Sequence, residues 1–169
     1  MKNIVLTGFM GTGKTAVGRE LSAMLGMKLI DIDAEIEHSQ KMTINDIFKS
    51  YGESRFREIE SELIKRFSEE NNLIISTGGG AVLKKMNMDN LRRNGTIFCL
   101  NASPQAVLER TKSTEDRPLL KVADPLAKIR ELFDFRRPFY EKAGTMIETE
   151  GKTPMQIAEE IVEIMKCKK

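Results

Sequence analysis

Residues 8–15 read Gly8-Phe9-Met10-Gly11-Thr12-Gly13-Lys14-Thr15. The apolar run 3–7 (NIVLT) precedes them, and a segment of helical period follows. A G-x-x-x-x-G-K-[ST] loop held between a strand and a helix confines the chain to a narrow set of α/β architectures. Its spacing has a chemical reason. Glycines let successive backbone N–H groups turn inward around phosphate oxygens, and the helix N-terminus adds its positive end. Lys14 reaches the β- and γ-phosphates as a point charge, and the Thr15 hydroxyl suits Mg²⁺. A bare glycine turn is the alternative, but a chance match in this length is on the order of one in a hundred or less. The Asn-Lys-x-Asp base-recognition pattern of GTP switches is absent from the sequence.

Four further apolar runs follow at 28–32, 73–77, 96–100 and 145–149, each separated from the next by helical material. That alternation predicts an α/β fold: a five-stranded parallel sheet in a three-layer α/β/α arrangement. Val17, Leu21, Met24 and Leu25 recur at helical spacing, with Gly26 as a stop. Phe56, Ile59, Leu63 and Phe67 form a second stripe, and Ile157, Ile161, Ile164 and Met165 a third. Such stripes are core. At 169 residues, with no linker or repeat, the chain reads as one domain over 1–169. The polar segment 111–123 carries Pro118, lacks a period, and reads as a lid loop or a plain surface connection.

Charge and composition exclude several functions. The 27 basic and 25 acidic residues are well mixed, and aromatics are only 6% with no Trp, so nothing favours nucleic acid. No apolar run approaches a membrane span, and Met1-Lys2-Asn3 leads straight into the first strand without a secretory pattern. A cytoplasmic location is expected. Cys99 sits in the apolar run Ile97-Phe98-Cys99-Leu100 as a core residue. Cys167 stands in a lysine-rich tail, and the pair has neither metal nor redox spacing. His38, the lone histidine, reads as an exposed helix residue.

Candidates for a second substrate site are less specific. Asp31 and Asp33 flank Ile32 at the end of the second strand, where i and i+2 share a face. They could serve Mg²⁺ and a substrate hydroxyl, or Asp33 could simply cap a helix starting at Ala34. Gly78-Gly79-Gly80 after the third strand suits a backbone close to a ligand, or a flexible turn. Arg57 has Glu53 at i−4 and Glu60 at i+3, the pattern of a solvated ion pair. Arg136 falls beside the apolar stripe of Ile129, Leu132 and Phe133, whereas Arg137 falls near Asp134 and Glu141. An inward Arg needs a route to solvent or an anionic partner, although Pro138 is expected to disrupt this segment. Arg117 is a loop arginine that a closing lid could bring to a transferring phosphoryl.

Taken in order, GFMGTGKT at 8–15, DxD at 31–33, GESRFRE at 52–58, GGG at 78–80, RPLL at 117–120 and RRPFY at 136–140 resemble the shikimate kinase family. These are small kinases of the P-loop, nucleoside-monophosphate-kinase-like fold. The resemblance spans essentially the whole chain. It implies transfer of the ATP γ-phosphoryl to the 3-hydroxyl of shikimate by a monomer. It also implies an ATP site of Gly11, Thr12, Gly13, Lys14, Thr15, Ala16, Arg110, Arg117 and Lys152, with Arg110 packed on adenine. Asp33, Arg57, Gly78, Gly79, Gly80 and Arg136 would form the shikimate site, with both arginines on the carboxylate. Thr15 and Asp31 would serve one Mg²⁺, and Lys14, Asp33 and Arg117 would be catalytic. Two positions depart from the family pattern: no glycine stands around Gln40-Lys41-Met42, and Lys152 replaces a common arginine. The rival readings are a P-loop kinase of gluconate or a nucleoside monophosphate, a catalytically silent relative, and, more distantly, a nucleic-acid-binding module.

Overall fold

A computed structural model of the chain describes residues 2–112 and 122–167. The five apolar runs become β1 (Asn3–Gly8), β2 (Lys28–Asp31), β3 (Leu73–Ser76), β4 (Gly95–Asn101) and β5 (Thr145–Glu148). They pair in parallel in the order β2-β3-β1-β4-β5. Helices α1 (Lys14–Leu25), α2 (Ile32–Gln40), α3 (Ile44–Glu69), α4 (Lys85–Asn94), α5 (Pro104–Thr111), α6 (Pro125–Glu141) and α7 (Pro154–Cys167) fill the connections. A 3₁₀ turn spans Ala81–Leu83.

Strand residues alternate between two cores. Ile4, Leu6, Ile74, Phe98 and Leu100 pack with Val17 and Leu21 of α1 and Ile157 and Ile161 of α7. Val5, Ile75, Ile97 and Cys99 pack on the other face with α2, α3, α4, α5 and α6. Buried on both sides, the central strands β1, β3 and β4 read as largely apolar runs, whereas the edge strands β2 and β5 keep exposed positions. Burial also pushes the Cys99 thiol up to about 12, so it is an inert core group. Cys167 and His38 are exposed, as the sequence predicts.

Two local expectations change, and a third feature is new. Met24 is 41% exposed, because α1 turns its 17/21 edge rather than residue 24 toward the sheet. Helix α6 runs straight through Pro138; the carbonyl of Asp134 that proline leaves unbonded lies on the exposed face, where solvent can take it. Helix α3 is kinked at Gly52, whose φ of 77° and ψ of 172° are not helical. Of the segment 111–123, Thr111 closes α5 and Lys112 caps it, while 113–121 lie outside the described residues.

The missing glycine after α2 has a structural consequence. Lys41 caps the helix at φ 52° and ψ 34°, in the left-handed region that a side chain disfavours by about 1–2 kcal/mol. Part of that is offset by the extra unfolded-state freedom a glycine brings. Lys41→Gly is therefore expected to stabilise the fold by about 0.5–1 kcal/mol, read from urea denaturation midpoints. Equal or lower stability would show that the Lys41 side chain contributes more than its backbone costs.

Candidate active site

The connections leaving β1 and β3 pass to opposite faces of the sheet, α1 to one core and α4 to the other. The crevice beyond the carboxyl ends of these adjacent strands is where a parallel α/β sheet binds ligands. A cleft of about 300 Å³ opens there, lined by Gly11, Gly13, Ala16, Asp33, Gly79 and Arg110 among others. Left-handed turns at Gly11 (φ 74°) and Gly13 (φ 92°) coil the loop so that backbone N–H groups converge on one concavity. Thr12 is buried and its hydroxyl donates to the Phe9 carbonyl at 2.8 Å, fixing the turn. Lys14 opens α1, and its Nζ donates to the carbonyls of Gly8 at 2.9 Å and Phe9 at 2.8 Å.

Asp31 and Asp33 meet at this cleft by a different route from the one the sequence suggests. The strand stops at Asp31, so the two do not share a strand face. Asp31 itself is the N-cap of α2: its Oδ1 accepts from the N–H groups of Asp33 at 3.1 Å and Ala34 at 3.4 Å. Its Oδ2 accepts from the Thr15 hydroxyl at 2.6 Å. The capping role considered for Asp33 belongs to Asp31, whose β-region backbone is the one a cap requires. Asp33 sits in the first helical turn with its carboxylate facing Gly78.

The glycine triplet is packed by the site on every side. A Cβ on Gly78 would stand 2.7 Å from Glu60 Oε1 and 3.0 Å from Asp33 Oδ1. One on Gly79 would stand 3.3 Å from the Gly8 carbonyl and 3.5 Å from the Tyr140 hydroxyl. One on Gly80 would overlap the Arg57 guanidinium. Close approach, not flexibility, is why glycine stands here.

Arg57 does pair with Glu53, at 3.2 Å, and with Glu60, at 2.8 Å, but not as a solvated pair. Its side chain is 13% exposed and that of Glu60 fully buried. Burial pushes the Glu60 carboxyl above its ordinary range against the pull of Arg57, and the nearby Asp33 carboxylate adds to the rise. Glu60 was visible in the sequence only as an ion-pair partner. Its place four residues after Phe56, on the buried face, was the signal for a deeper role.

Arg136 is 4% exposed, as its inward projection predicts, and Arg137 pairs at the surface with Glu141 at 2.8 Å. The Arg136 guanidinium lies 5.7 Å from the Phe9 ring centroid and against the Tyr140 hydroxyl. Tyr140 in turn donates to the Gly79 carbonyl at 2.6 Å. Burial holds its phenol well above the ordinary range, so it stays a donor. Tyr140 lies within the RRPFY motif, where no local pattern marks it for this contact.

On the nucleotide side, Arg110 donates to the carbonyls of Gly11 and Thr149 and, at 3.0 Å, to the Thr149 hydroxyl. It thereby ties the phosphate loop to the segment after β5. Lys152 does not line the cleft; it pairs with Glu160 at 2.6 Å. Arg117 lies outside the described residues.

A phosphate loop at the switch point of a 2-3-1-4-5 parallel sheet, with the buried Arg136 and the half-buried Arg57 close by, defines a small-molecule kinase of the P-loop class. A family model described as shikimate kinase matches residues 10–166. The shikimate kinase of Thermodesulfovibrio yellowstonii is 51% identical over 162 residues, covering 96% of this chain and 94% of that one. The shikimate kinase of Caldicellulosiruptor saccharolyticus is 47% identical, covering 99% and 98%. Among solved structures, shikimate kinase from Acinetobacter baumannii in complex with shikimate superposes with a TM-score of 0.97 at 35% identity, covering 100% of this chain and 95% of that one. The chain belongs to the shikimate kinase family. Its activity is the family's, ATP-dependent phosphorylation of shikimate, and the gluconate, nucleotide and non-enzymatic readings fall away.

Proposed function

We propose that the cleft holds ATP and shikimate on opposite sides of Gly79, and that the chain's own residues act there as follows. The loop Gly11–Ala16 cradles the phosphates, with Lys14 leaving its loop carbonyls to follow the transferring γ-phosphoryl. Asp33 accepts the hydrogen bond of the attacking 3-hydroxyl and takes its proton as the new P–O bond forms and the bond from the γ-phosphorus to the ADP oxygen breaks, releasing ADP. Arg57 and Arg136 bind the carboxylate, for which guanidinium forks are suited, while the Gly78–Gly80 backbone sets the sugar-like ring between them. Arg110 packs on the adenine, Arg117 steadies the transition state from the lid, and Lys152 lies near the base.

Thr15 and Asp31 fit a single Mg²⁺: a hydroxyl and a carboxylate oxygen joined at 2.6 Å are hard oxygen donors of the kind that ion takes beside phosphates. When bound, Mg²⁺ neutralises charge on the β- and γ-phosphate oxygens. The whole chain, 1–169, would work as one domain and as a cytoplasmic monomer. Among the described residues no helix is long and apolar enough to cross a membrane.

The observation that carries this reading is the packing of Gly78–Gly80. It brings Asp33, Arg57 and, through Tyr140, Arg136 around one loop opposite Lys14. The test is ADP release with Mg-ATP, with and without shikimate, with gluconate and AMP as controls. Shikimate-dependent release giving a 3-phosphate by phosphorus NMR is expected. Release with a control substrate alone would remove the two-arginine clamp.

A further inference from the structure

Lys84 directly follows the 3₁₀ turn that leaves the glycine triplet, and no motif of the sequence contains it. Its Nζ reaches across to α3, donating to the Arg57 carbonyl at 3.0 Å and the Ser61 hydroxyl at 3.3 Å. The Ser61 hydroxyl donates to the same carbonyl at 2.7 Å. A half-buried ammonium anchored on a mid-helix carbonyl gives up hydration and side-chain freedom, so its placement asks for a return. Two features supply it.

The first is geometric. The segment 80–84 grips Arg57 at both ends. Gly80's backbone lies against the guanidinium, and Lys84's ammonium holds the carbonyl of the same residue. The glycine loop and the Arg57 turn of α3 are thus one unit. The buried Asn87 ties this segment to α4: its backbone N–H donates to the Lys84 carbonyl at 3.0 Å and its side-chain amide to the Ala81 carbonyl at 3.2 Å.

The second is electrostatic. Arg57 faces the buried Glu60 carboxylate at 2.8 Å, with Glu53 at 3.2 Å and Asp33 close to Glu60. With only those acids around it, its charge would be largely spent before a ligand carboxylate arrived. Lys84 acts on Glu60 as a second cation, so that the buried carboxylate draws on two cations and less of the Arg57 charge is spent on it.

We infer that Lys84 is a positioning residue for substrate recognition: it locks the Gly80–Lys84 segment onto α3 and offsets Glu60, so that Arg57 keeps its geometry and charge for the shikimate carboxylate. The inference rests on the proposed role of Arg57 as part of the carboxylate clamp.

The experiment is steady-state kinetics of K84M, K84R and R57A, varying shikimate and ATP separately, with circular dichroism to confirm folding. K84M is expected to raise the shikimate KM about tenfold, the scale of a lost charge-assisted contact, while the ATP KM stays within about twofold. K84R, which restores the cation, is expected to recover most of the loss. R57A separates the two claims. If R57A raises the shikimate KM and K84M does not, the Lys84 role is overturned and the clamp stands. If neither raises it, both fall. Equal rises in both KM values for K84M would mean a general structural defect and overturn the positioning role. Should K84M fail to fold, S61A removes one leg of the same latch and is expected to raise only the shikimate KM, about two- to fivefold. No change in that variant would overturn the proposal.

Discussion

Lys14→Met lowers turnover about a thousandfold or more and leaves the protein folded. The magnitude follows from the charge that phosphoryl transfer gathers on the equatorial oxygens, where losing one preorganised donor costs on the order of a hundred- to a thousandfold and a full cation costs more. The folding half of the expectation comes from what Lys14 touches. Its Nζ donates to the carbonyls of Gly8 and Phe9, at 2.9 and 2.8 Å, and both ties lie within the short turn that already joins β1 to α1 through the chain. Methionine matches the length of the stem, and each lost hydrogen bond is worth about 1 kcal/mol. Meanwhile the loop keeps its left-handed turns at Gly11 and Gly13 and its Thr12 brace. Shikimate-dependent ADP release and thermal melts measured on the same preparation check both halves. Turnover within about tenfold of wild type would remove Lys14 from the transfer step.

The contrast between Lys14 and Arg57 shows what a sequence can display of such a site. Lys14 belongs to a contiguous loop, and its role is written in the eight residues around it together with their strand and helix flanks. The central strands β1, β3 and β4 are legible for a related reason: a parallel strand buried on both faces is largely apolar, whatever lies across from it. Arg57 depends instead on partners far along the chain, Gly80 and Lys84. Nothing local separates a clamp from a surface ion pair. Only the set of motifs taken together pointed to the clamp. Asp31 and Asp33 failed differently, since a two-residue alternation looks the same whether the strand continues or a helix begins. The N–H groups that Asp31 caps, not its side-chain spacing, decide that the helix starts there. Tyr140 continues the 129/132/133/136 stripe of α6 and reads from its period as core, while Lys84 left no periodic trace because its contacts are made across to α3.

Arg136→Ala raises the shikimate KM about a hundredfold and abolishes most of the stabilisation that shikimate confers. Arg136 is 4% exposed, and its Nε has no hydrogen-bond partner among the described residues. None of the ion pairs among those residues includes it; its company is the Phe9 ring and the Tyr140 hydroxyl. A buried cation without a counter-charge among the described residues is held at a cost, and a ligand carboxylate forming charge-assisted hydrogen bonds there relieves it. Losing such an interaction is worth about 2–3 kcal/mol, which sets the hundredfold scale. Free protein should lose little stability, because the group removed is an uncompensated charge rather than one half of a pair. Wild-type protein should therefore melt higher with saturating shikimate, by linkage of binding to folding, and R136A should gain far less at the same concentration. Both should respond equally to Mg-ATP, since Arg136 meets the glycine loop through Tyr140 and Gly79 rather than through the phosphate loop's own N–H groups. An R136A variant that binds shikimate with near wild-type affinity would leave the buried guanidinium without a ligand and take the carboxylate clamp away from α6.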